Sequence, residues 1–102
     1  MENSSFKIIR KKIKNLRNDV DKIDKNILNL LAFRFKITEK IGKVKKEVGL
    51  PLRDKKRESE KIKNLRRLAK KKKLNADFVE KLFKKIFDEV VKTNKKNLKI
   101  KE

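Results

Sequence analysis

Residues 13–48 read IKNLRNDVDKIDKNILNLLAFRFKITEKIGKVKKEV, and the spacing of the apolar side chains in this stretch decides the fold. Counting from Ile9, they fall at Ile13, Leu16, Val20, Ile23, Ile27, Leu30, Ile37, Ile41, Val44 and Val48, in alternating steps of four and three. A heptad stripe sustained this far predicts one very long helix. A single position breaks it: where the next apolar residue belongs, between Leu30 and Ile37, stands Arg34. A cation in an apolar seam is costly unless it meets an anion.

Beyond the stripe, Gly49-Leu50-Pro51 ends the helix, because Gly can take the left-handed cap and Pro cannot continue the ladder. A second helix starts with Asp54 as N-cap and Glu58 in the first turn, where a carboxylate matches the helix dipole. Its apolar side is thin, with Ile62, Leu65, Leu68 and Ala69, and the run Lys70 to Lys73 closes it. Asn75 caps a third helix carrying Phe78, Val79, Leu82, Phe83, Ile86, Phe87, Val90 and Val91, and the tail from Lys95 reads as polar and frayed. The expected fold is all-α, with one domain over residues 6–97 and a polar tail at 98–102. A first helix of about 40 residues is roughly 60 Å long. It overshoots a compact domain of this size, whose radius of gyration is about 13 Å. Half of its stripe then lacks cover from its own chain, which predicts two copies sharing their long helices as an interlaced, helix-swapped six-helix homodimer.

Composition narrows the chemistry. Across 102 residues there is no Cys and no His, which removes thiolate nucleophiles, disulfides, histidine bases and the usual zinc sites. No metal and no cofactor is expected. No apolar run reaches the ~20 residues of a membrane span, and the start MENSSFKIIRKKIKN lacks the apolar stretch of a secretory signal, so a cytoplasmic protein is expected. The formal net charge of +20 would suit a polyanion. Yet the excess is Lys rather than Arg, alongside many Ile and Asn, as an AT-rich coding bias would produce, and Tyr and Trp are absent. Base stacking would be left to Phe.

Arg34 and Lys45 lie eleven residues apart, close to three full turns, so both lean from one helix face with Cα atoms roughly 16 Å apart. Two long cations could grip a small anion between them; the plainer reading pairs Arg34 with an acid such as Glu58 or Asp88. Arg17 is some 25 Å from Arg34 by helical rise. It could join them only from a second, antiparallel copy, and taken singly it is an ordinary surface residue. The segment Leu52-Arg53-Asp54-Lys55-Lys56-Arg57-Glu58 gathers two arginines and two carboxylates at a helix start. Asn94 falls on the apolar side of the third helix, where an amide needs a partner.

These residues, in this order and spacing, resemble the all-helical chorismate mutase family (chorismate mutase type II). The resemblance runs from about Leu16 to Asn94. It rests on Leu16-Arg17, Ile23-Asp24, the run Ile27 to Arg34, Ile41-Gly42-Lys43-Val44-Lys45, Pro51-Leu52-Arg53-Asp54 with Arg57-Glu58, and then Leu82-Phe83 and Ile86. It implies rearrangement of chorismate to prephenate, in phenylalanine and tyrosine biosynthesis. It also implies that Arg34 and the partner subunit's Arg17 hold the two substrate carboxylates, and that Lys45 reaches the ether oxygen of the breaking bond. Glu58, with the backbone around Asp54, would take the ring hydroxyl, while Arg53 and Arg57 steady the site. Two positions depart from the pattern. Val90 stands where many members carry Ser, and Asn94, one methylene shorter, stands where Gln or a protonated Glu commonly faces the ether oxygen.

The rival reading is a basic helical nucleic-acid-binding dimer, disfavoured because such a protein has no use for Arg34 inside its seam. The same scaffold with isochorismate pyruvate lyase activity, and a degenerate mutase domain, also stay open. So does the question of whether the chain stands alone or belongs to a fusion.

Overall fold

The computed structural model describes residues 3–100. The three expected helices form as α1 Ser4–Val48, α2 Lys55–Lys71 and α3 Ala76–Asn97, and no strand occurs among the described residues. The chain divides into two compact units, residues 1–36 and 37–102, with the boundary inside α1.

In the first unit every described residue from Ser4 onward is helical. Neither Gly nor Pro occurs between Ser4 and Ile41 to stop it. The start is set by Asn3, whose Oδ1 accepts from the Phe6 amide at 3.0 Å and so satisfies one of the N–H groups that a helix start leaves open. The apolar stripe is exposed along this unit at Ile9, Ile13, Leu16, Val20, Ile23, Ile27 and Leu30, with Leu16 64% and Leu30 68% accessible. Full burial of such a side chain is worth about 1.5–3 kcal/mol. The stripe is therefore the largest unused source of stability in the chain.

In the second unit α2 packs on α3. The buried apolar residues are Leu52 before α2, Ile62 and Ala69 in α2, Val79 and Phe87 in α3, and Leu98 just beyond it. The Phe83 and Phe87 rings lie 6.2 Å apart at 60°, a tilted pair that adds to their area burial. Because the apolar side of α2 is thin, charges supplement it. Arg66 bridges α2 to α3 through Asp77 at 2.9 Å and Glu80 at 3.1 Å.

All three helices end in one backbone motif. Leu50 N donates to Lys45 O at 2.9 Å and Gly49 N to Lys46 O at 3.3 Å. Leu74 N donates to Ala69 O at 2.8 Å and Lys73 N to Lys70 O at 3.1 Å, and Ile100 N donates to Lys95 O at 3.0 Å. These are the reverse-turn bonds of a Schellman ending, closed by a left-handed residue and followed by an apolar one. The left-handed residue is Gly49 at φ 73°, Lys73 at φ 59° and Lys99 at φ 54°. The end of α3 thus differs from the frayed tail expected from Lys95: the helix continues through Asn97, and Leu98 is buried. The apolar pair Leu98 and Ile100, set among lysines, is what the polar composition concealed.

A non-glycine residue held left-handed costs about 1–2 kcal/mol, offset in part by the greater chain entropy that Gly loses on folding. Lys73→Gly is expected to raise stability by about 0.5–1 kcal/mol and Gly49→Ala to lower it by about the same, both read from urea or thermal unfolding.

Candidate active site

Lys45 sits in the last turn of α1 and does two things at the α1 to α2 turn. Its carbonyl closes the helix end, and its Nζ reaches over the turn to donate to the Leu52 carbonyl at 2.9 Å. The side chain is half-buried. Two residues on, Asp54 is the expected N-cap of α2, its Oδ1 accepting from the Arg57 amide at 3.0 Å.

Arg53 and Glu58 are brought into contact. Arg53 Nε donates to Glu58 Oε2 at 3.0 Å and its NH2 to Glu58 Oε1 at 3.1 Å, a two-pronged grip, and the same NH2 also bonds Asp88 of α3. Those bonds, Glu58 first and Asp88 second, raise the Arg53 pKa, so its charge is constant over all working pH. The acids named as plain partners for Arg34 are thus both bonded to Arg53. A paired carboxylate retains lone pairs for a further donor, so Glu58 is held in place without being used up.

Arg53 and Glu58 stand at one end of a cleft of about 550 Å³ between α2 and α3, floored by Ile62 and Phe87. At its other end Arg66 and Lys84 converge on Glu80, with Lys84 Nζ 2.7 Å from Glu80 Oε2. The hydrogen bond from Lys84 holds the Glu80 carboxyl below its ordinary range.

Asn94 is buried, at 5% accessibility, as the sequence pattern required. Its partner is on α1: Nδ2 donates to the Thr38 carbonyl at 3.1 Å. Val90, one turn earlier in α3, is half-buried, and Arg57 is exposed. The remaining two candidates belong to the first unit. Arg17 is exposed; Arg34 is half-buried, and loss of water around it lowers its pKa, as expected of a cation set into an apolar seam. Sequence reasoning did not single out Thr38 or Gly42. A backbone carbonyl carries no residue signal, but a lone Gly inside a heptad stripe was one.

Among the described residues no group of acids, His or Cys could hold a metal ion, and no helix is long and apolar enough to cross a membrane. Residues 16–95 match the family model described as chorismate mutase type II, and the chain belongs to that family. A protein of Buchnera aphidicola subsp. Schizaphis graminum named bifunctional chorismate mutase/prephenate dehydratase is 40% identical over 82 residues, which cover 80% of this chain and 21% of that protein. The T-protein of Haemophilus influenzae is 31% identical over 77 residues, 76% of this chain and 20% of that protein. A protein of Methanocaldococcus jannaschii named chorismate mutase is 29% identical over 72 residues, 71% of this chain and 73% of that one. The chain thus spans about a fifth of the length of the bifunctional relatives.

A carboxylate held below its unfolded value stabilises the fold above that value and loses the contribution as pH falls through the folded one. Glu80→Gln is therefore expected to flatten the fall of Tm below pH 4.5, the ordinary value for this group, and to leave Tm at low pH nearly equal to that of the parent.

Proposed function

We propose that this chain rearranges chorismate to prephenate, in phenylalanine and tyrosine biosynthesis in the cytoplasm, as a homodimer with two equivalent sites. The observation that carries the reading is the buried amide of Asn94 on α3 together with the anchored ammonium of Lys45 on α1, in a chain of the chorismate mutase type II family.

The reaction is a unimolecular shift in which one C–O bond breaks as one C–C bond forms. It needs no nucleophile and no net proton transfer, which suits a chain without His or Cys. What a protein can supply is the compact conformer in which the two ends meet, and donors aimed at the charge that grows on the ether oxygen as the C–O bond stretches. Lys45 and Asn94 are those donors. Arg34 and the partner subunit's Arg17 hold the carboxylates. Glu58, gripped by Arg53, takes the ring hydroxyl with the backbone at Asp54, and Arg57 adds positive potential. The lowered pKa of Arg34 supports this, because a desolvated cation interacts strongly with a bound anion.

The interlaced dimer is supported by the exposed stripe from Ile9 to Leu30. A second copy, antiparallel, would cover it and bring Arg17 to the other chain's site. An isologous contact of this kind buries the same stripe twice.

Lys45→Ala is expected to lower kcat/KM for chorismate by about 10²–10³-fold, and Arg34→Ala to weaken it chiefly through KM; near-full turnover by Lys45→Ala would remove the assignment. Mixed after unfolding, inactive Arg17→Ala and Lys45→Ala chains should regain about a quarter of parental activity, since half of the dimers are mixed and each rebuilds one intact site. Val90→Ser, restoring a hydroxyl to one carboxylate, should lower KM up to about tenfold.

A further inference from the structure

The buried residue of α1 is Gly42, and it faces Asn94. A Cβ added at Gly42 would lie 2.7 Å from Asn94 Nδ2, 3.1 Å from Asn94 Cγ and 2.9 Å from Leu98 Cδ1. Approaches this short force a shift, so alanine would displace the Asn94 amide and the end of the Leu98 side chain. The contact extends at helical spacing. Thr38, Gly42 and Lys46 form one stripe on α1, and Asn94 and Leu98 one stripe on α3. Asn94 bonds the Thr38 carbonyl at its upper end, Gly42 lies beneath Asn94 and Leu98, and Lys46 Nζ donates to the Leu98 carbonyl at 2.8 Å.

We infer that Gly42 is a positioning residue that seats the Asn94 amide against the Thr38 carbonyl, so that one amide N–H is tied to the protein and the other is aimed at the ether oxygen. This rests on the proposed role of Asn94 as a donor. A primary amide nitrogen carries two hydrogens. Anchoring one fixes the direction of the second, and a donor fixed before reaction costs no reorganisation. Asn is one methylene shorter than the Gln common at this position in the resembling family, and the missing Cβ at Gly42 leaves the room in which its amide lies against α1. Lys45, seven residues beyond Thr38 and three beyond Gly42, lies on the same face of α1, so the two donors share one side.

The test is a double-mutant cycle on chorismate turnover together with hydrogen exchange of the Asn94 side-chain amide by NMR. Alanine favours a helix more than glycine does, so any loss from Gly42→Ala comes from the α1 to α3 contact. Displacement of a donor by about 1 Å can cost about 100-fold. Gly42→Ala is expected to lower kcat by about 10–100-fold with KM changed less than about threefold, and to cost less than about threefold more in an Asn94→Ala background. The Asn94 amide should be protected in the parent and exchange freely in Gly42→Ala. Equal losses in both backgrounds would overturn the inference, as would unchanged amide protection. Should Gly42→Ala not fold, it is placed in an Asn94→Ala/Leu98→Ala background, which removes both side chains that the new Cβ would meet; failure of the triple variant to fold where the double folds would overturn the inference too. If the parent shows no turnover, the catalytic reading falls, and the exchange measurement alone decides whether Gly42 seats the amide.

Discussion

An apolar stripe laid along 45 residues of unbroken helix is the constraint that the rest of this protein answers to. Helix α1 has one buried residue, Gly42, while its Ile, Leu, Val and Phe side chains from Phe6 to Val48 are exposed except for the half-buried Leu31 and Phe35. The apolar core of the second unit is small: Leu52, Ile62, Ala69, Val79, Phe87 and Leu98. Small cores are marginal against the entropy of ordering a chain. A second copy covering the stripe, as proposed, would supply stability that α2 and α3 do not, so the proposed dimer has a motive in energetics as well as in Arg17.

The proposed site draws largely on groups that already have structural employment. Lys45 closes α1 with its carbonyl and braces the following turn with its ammonium; Asp54 caps α2; Arg53 ties the α2 start to Asp88 of α3 while fixing Glu58. Each bond removes rotamer freedom from a side chain that the proposed reaction would need in one place. Preorganisation of the proposed site would therefore be a by-product of helix ends and of the α2 to α3 contact.

Much of this was legible in the residues. The heptad spacing, the Gly49-Leu50-Pro51 break and the caps Asp54 and Asn75 determine three helices, because period and capping are local properties. The buried amide at Asn94 was legible for the same reason: a polar residue on an apolar face must be paired. Its partner was not, since Thr38 accepts through a backbone carbonyl, which every residue has. Nor was the Arg53 clamp, because a guanidinium near several carboxylates has many geometries and only packing selects one. The ending of α3 was misjudged from composition, where lysines hid the two apolar residues that finish it.

The three matching helix ends and the Gly42 crossing differ in how they respond to changes of sequence over time. A Schellman ending is made of backbone groups, so where a residue other than glycine stands in it, as at Lys73 and Lys99, the hydrogen bonds persist and the cost is a modest local strain. A chain drifting toward lysine can absorb many such steps. At Gly42 the same drift meets side-chain atoms of Asn94 and Leu98 within 3 Å, and the cost is their displacement rather than a strain of the backbone. The two glycines of this region thus answer substitution differently: with backbone strain at the one that ends the helix, and with displacement of a buried amide at the one inside it.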